Sequence, residues 1–144
     1  MKETTITNNI VSSLVASLFI LTTIISFSSA AGEEYVPKKA TMQKLHQAPL
    51  PGVDGKEMTV VHLAAPAGFI SSKHTHPGPV YVYVLEGELT IELENETKTF
   101  KAGELYPEEI DSAMIGKNSS STDDLELLIF QVGDIGKPMM IKVE

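Results

Sequence analysis

From Met58 onward the chain reads as one short strand after another, punctuated by turns, and this constrains its fold more than any other feature. Residues 58–64 are β-branched and apolar, and Pro66-Ala67-Gly68 turns the chain into a second strand over 69–76. Pro77-Gly78-Pro79 breaks that strand, and residues 80–85 alternate valine with tyrosine before a leucine, the pattern of a strand buried on both faces. Glu86-Gly87 turns into 88–94, where Leu89, Ile91 and Leu93 alternate with polar residues as in a half-exposed antiparallel strand. Further strands are predicted over 97–101, 104–106, 125–132 and 138–143, with a polar loop over 117–124. Beyond the N-terminal segment no amphipathic helical period of useful length occurs. Many short strands at this spacing predict an all-β barrel or sandwich.

The N-terminal segment belongs to a different class. Residues 1–9 are polar and carry Lys2, residues 10–27 are mostly apolar, and Ser28-Ser29-Ala30-Ala31 supplies small residues for cleavage. A charged start, an apolar centre and a small-residue cut site predict a signal peptide over 1–30, cleaved near Ala30. The apolar stretch also approaches the length of a membrane anchor. Cleavage implies a secreted or periplasmic protein with no stable membrane anchor, divided into an N-terminal arm over 31–46 and a folded domain over 47–144. There is no cysteine, so neither a lipid-modified cysteine nor a disulfide is available. All eleven basic residues are lysines, opposed by nineteen acids for a net charge of −8. An acidic chain without arginine argues against nucleic acid and anionic membrane as partners.

Chemistry concentrates at His74-Thr75-His76. Residues i and i+2 of a strand point to the same face, so both imidazoles can aim at one point, as metal sites on strands require. His46 and His62 read as surface or structural positions. Tyr81 and Tyr83 read as aromatics of a packed sheet, with Tyr106 nearby. Glu108, Glu109 and Asp111 form an acidic group that reads as a solvated loop, with the capacity to supply an oxygen donor.

The frame of these residues resembles the cupin family. Gly68, five residues, His74-Thr75-His76 and the closing Gly87 fall in the register of the first cupin motif, and Gly103 and Asn118 hold the two ends of the second. The resemblance covers residues 47–143 and implies a cupin jelly-roll β-barrel (a double-stranded β-helix). It also exposes departures. The motif-one glutamate falls on Val80, the Pro-x-Gly of motif two falls on Glu109-Ile110-Asp111, and its histidine falls on Met114 or on Ala113. Of the family's metal ligands, His74 and His76 remain.

Met114 can add a thioether, and a His74/His76/Met114 set favours copper, with zinc, nickel or iron as alternatives; Met114 can equally be a core filler. The resulting expectation is an exported cupin that binds a metal ion or small ligand in its barrel through His74 and His76, with catalytic residues unassigned. The alternatives are a metal-dependent oxidoreductase like the dioxygenase cupins, and an envelope interaction protein with an empty barrel. The apolar segments 125–132 and 138–143 suggest a homodimer.

Overall fold

The computed structural model describes residues 38–144, so the leader expected over 1–30 and the start of the arm lie outside the described residues. The described chain forms ten strands and no helix: β1 (Thr41–Pro49), β2 (Lys56–Ala65), β3 (His74–Thr75), β4 (Val80–Glu86), β5 (Glu88–Glu92), β6 (Thr97–Lys101), β7 (Leu105–Glu108), β8 (Ile115–Asn118), β9 (Leu125–Asp134) and β10 (Ile141–Lys142).

One sheet has the order β1-β2-β9-β4-β7, antiparallel throughout. A second has the order β6-β5-β8, and β10 pairs with β3. Isolated bridges from Ile70 to Lys117 and from His74 to Met114 lay the 70–75 segment beside β8. These pairings make an all-β jelly-roll barrel. Its core is built by alternation: Val80, Val82 and Val84 of β4 meet Leu89 and Ile91 of β5 and Leu125 and Leu127 of β9, all buried. Each such aliphatic side chain contributes roughly 1.5–3 kcal/mol on burial.

Two glycines are required by space, and one of them by its backbone as well. A Cβ at Gly78 would lie 2.2 Å from the Val132 carbonyl oxygen, so only glycine lets the chain turn between β3 and β4 against β9. Gly87 combines φ 82° with a Cβ position 2.6 Å from the Asp124 carbonyl oxygen.

Several sequence expectations need correction. The arm expected over 31–46 overlaps β1, which starts at Thr41 and pairs with β2 from Thr41↔Ala64 to Pro49↔Glu57. Its residues are exposed except Ala48, so no hydrophobic alternation announced it; the backbone hydrogen bonds of the β2 edge recruit it. Strand β4 is not buried on both faces, since Tyr81 and Leu85 are 47% and 41% exposed. The strand expected over 69–76 is reduced to His74–Thr75, because His74 and Ser71 bond backbone at Met114 and Gly116 instead of forming a continuous ladder. The strand expected over 138–143 shrinks to Ile141–Lys142. The loop expected over 117–124 begins only after Asn118, because β8 pairs with β5 from Leu89↔Asn118 to Glu92↔Ile115.

Candidate functional site

The barrel encloses a cavity of about 500 Å³. Its walls are mainly apolar, with Val61, Leu63, Val82, Leu89, Leu127 and Ile129 facing in, and its polar residues include His74, His76 and Glu108.

His74 and His76 both line this cavity and are 8% and 7% exposed. Their rings meet edge to face, with centroids 5.0 Å apart and planes at 85°. His74 is held from both sides, since its backbone pairs with Lys142 of β10 and, through two hydrogen bonds, with Met114. The amide of Asp111, a residue in the left-handed region at φ 59°, donates to the His76 carbonyl at 3.0 Å.

Each imidazole is fixed by a backbone carbonyl. His74 Nδ1 lies 2.7 Å from the Ser72 oxygen, and His76 Nδ1 lies 2.7 Å from the Met139 oxygen. A carbonyl only accepts, so in both rings Nδ1 carries the proton and, in the neutral ring, Nε2 presents a lone pair. Burial holds the His76 pKa below the usual value, partly offset by the bond to Met139, and nearby His74 lowers it further. The Met139 oxygen also accepts from Gln131 Nε2 at 2.8 Å. One carbonyl of the segment between β9 and β10 is therefore gripped twice.

Sequence reasoning placed Glu108 in a solvated loop. It instead ends β7 with its side chain only 6% exposed, and its Oε2 lies 3.2 Å from His76 Nε2. That distance is short enough for an ion pair, but Oε2 has no partner in hydrogen-bonding geometry and stays a buried, orphaned acceptor. The contact is thus close but poorly directed. Burial pushes the Glu108 carboxyl up to about 7. Glu109 and Asp111 are exposed, as expected of a loop.

Cross-strand register explains how Glu108 gets there. A single row runs straight across the five-stranded sheet: Gln47, Thr59, Gln131, Val80, Glu108. Directly opposed residues share a face, so Glu108 and Gln131 flank Val80. Val80 is the position where the motif calls for glutamate, and the row restores a carboxylate one strand away. Gln131 is 2% exposed, and its Oε1 is a second buried acceptor without a partner.

The other sequence candidates lie elsewhere. Met114 is 1% exposed and packs in the hydrophobic core, and it is not among the residues lining the cavity. Ala113 is half-buried. Tyr106 stacks on Phe100 at 4.7 Å, and burial with nearby Glu108 pushes its phenol up to about 12. Asn118 is structural: its amide donates to the Ala65 and Asp123 carbonyls and its oxygen accepts from the Ser120 amide. His62 lies 3.2 Å from Glu126, half-buried, and His46 is exposed on β1.

A family model described as "Cupin domain" matches residues 60–129, which span the His74/His76 pair and five of the strands that enclose the cavity. The chain carries a cupin domain. Solved structures agree on the fold of this cupin. A protein with a double-stranded β-helix domain from Klebsiella pneumoniae superposes with a TM-score of 0.60 at 15% identity, covering 77% of this chain and 90% of that one. A cupin-superfamily protein from Desulfitobacterium hafniense gives 0.57 at 13% identity, with 70% and 84% covered. An RmlC-like cupin from Methanocaldococcus jannaschii gives 0.57 at 20% identity, with 70% and 86% covered. At these identities the likeness concerns the fold. No curated protein matches the sequence.

Proposed function

We propose that this cupin binds a small, largely apolar molecule in its barrel, with His74, His76 and Glu108 reading the polar part of that molecule. The observation that carries this function is the cavity of about 500 Å³, apolar along its walls and polar where those three side chains line it. Binding sites for small molecules combine these two properties.

A second reading is a metal ion held by His76, Glu108 and His74, and the fixed tautomers favour it. Both Nε2 lone pairs are set by carbonyls behind the rings, an arrangement typical of metal-ligating histidines. The 3.2 Å between His76 Nε2 and Glu108 Oε2 also suits two donors each about 2.1 Å from one ion. A carboxylate in place of the Met114 thioether moves the preference from Cu(I) toward zinc, nickel or iron. Among the described residues, however, no three His, Cys, Asp or Glu side chains are grouped closely enough to hold an ion. The small molecule therefore stands first.

Titration with N-phenylnaphthylamine, whose fluorescence rises in apolar surroundings, tests the proposal. Saturable binding of one probe per chain, lost when Leu89→Phe fills the cavity, is the expected result. Absence of saturable binding, or binding indifferent to that substitution, removes it. If calorimetry with zinc, nickel and copper instead gives one tight site that His74→Ala with His76→Ala abolishes, the metal takes its place.

A further inference from the structure

The polar groups of the cavity differ in one respect from those of a typical small-molecule site: the functional ones are acceptors. His74 and His76 each commit Nδ1–H to a backbone carbonyl, so their neutral rings turn only Nε2 lone pairs toward the cavity. Glu108 adds a buried carboxyl oxygen with no donor bonded to it. With its carboxyl ionised Glu108 only accepts, and the 3.2 Å contact to His76 Nε2 leaves its Oε2 without a directed donor. The basic side chain on the cavity wall, Lys117, is paired with Glu92. The hydroxyl of Ser71 is used as well, donating to the Ser72 carbonyl while accepting from the Gly116 amide. No arginine occurs anywhere in the sequence.

From this inventory we infer that the molecule bound in the barrel carries a hydrogen-bond donor as its polar group, an alcohol or an ammonium, and not a carboxylate or phosphate. The inference rests on the proposed small-molecule site and names what that site selects. An alcohol can donate to one acceptor of the cluster, and an ammonium can donate to several. A carboxylate would face the lone pairs of His74, His76 and Glu108, losing hydration with nothing in return from these three. The acids outside the cavity act in the same direction, because Glu109 and Asp111 follow Glu108 on the exposed loop and repel an approaching anion.

The test is a competition series against bound N-phenylnaphthylamine with four molecules of one shape: cinnamyl alcohol, cinnamylamine, cinnamate and propenylbenzene. The alcohol and the amine are expected to displace the probe at concentrations at least about tenfold below that needed for cinnamate. In the Glu108→Gln variant, checked for folding by circular dichroism, the amine should lose that advantage while propenylbenzene competes as before. Cinnamate competing as well as the alcohol and amine overturns the inference but leaves the barrel site standing, as does equal competition by all four. A preference for the amine that persists unchanged in Glu108→Gln overturns it too. If N-phenylnaphthylamine does not bind, the barrel site fails, and the inference goes with it.

Discussion

Glu108 stands directly opposite Val80 in the pairing of β7 with β4. The carboxylate missing from one strand is thereby supplied by its neighbour, on the same face of the sheet and 3.2 Å from His76. The two positions are close enough to interact, so restoring the family residue at 80 would set two buried carboxylates side by side.

Val80→Glu is accordingly expected to lower stability by on the order of 3 kcal/mol without metal, because like charges then share one buried site. Zinc should restore much of the loss, since a cation satisfies both groups. Thermal melts of variant and parent, with and without zinc, give the answer. A variant as stable as the parent in chelator would show that Glu108 and position 80 do not face each other.

Glu108 should also write a pH dependence into stability. Its carboxyl titrates near 4.5 when free and is pushed up to about 7 in the fold. Between these values the folded chain holds a proton that the unfolded chain has released, so stability falls as pH rises through that window, by about 3 kcal/mol in all. His76 acts with the opposite sign: its lowered pKa disfavours the fold as pH drops below the ordinary histidine value. Subtracting the Tm curve of Glu108→Gln from that of the parent isolates the glutamate. A flat difference between pH 4 and 8 would contradict the burial described for it.

The doubly gripped Met139 carbonyl predicts a local rather than global effect. His76→Phe removes one of its two donors and Gln131→Leu the other. Either change should cost about 1 kcal/mol of local stability, and the two together more than their sum, because the carbonyl is then left without a partner. Hydrogen exchange at the Val143 amide, which donates to the Lys73 carbonyl at 3.1 Å, reports it. Each single variant should speed exchange about fivefold. No change in the double variant would show that this grip does not hold the segment.

Met114→Leu separates packing from ligation. The two side chains are similar in volume, so the cost should stay below about 1.5 kcal/mol, and binding of the fluorescent probe and of any metal should persist. Selective loss of copper binding in this variant would return Met114 to the ligand set.

Much of the fold was legible because it is written in local pattern. The alternation of β5 and the turn residues around Gly68, Gly87 and Gly103 mark strands and corners directly, and the spacing of His74 and His76 places two rings in one cavity. Strand β1 could not be read this way: Thr41 to Gln47 are exposed, and the segment becomes a strand only because β2 offers it an edge. Strand β8 is four residues long and contains Gly116 and Lys117, so neither composition nor period separates it from the loop that follows. Glu108 was hidden for another reason. The sequence shows three acids in a row of four residues, and only the register of β7 against β4 decides which of them turns inward.

The grip on Met139 has a consequence for how binding and order are related. A donor or cation drawn to Nε2 of His76 withdraws electron density from the ring and sharpens the Nδ1–H as a donor to the Met139 carbonyl, 63 residues away in sequence. With a ligand seated on it the imidazole would be both contact and fastener, so a filled barrel should be one whose rim is tightened.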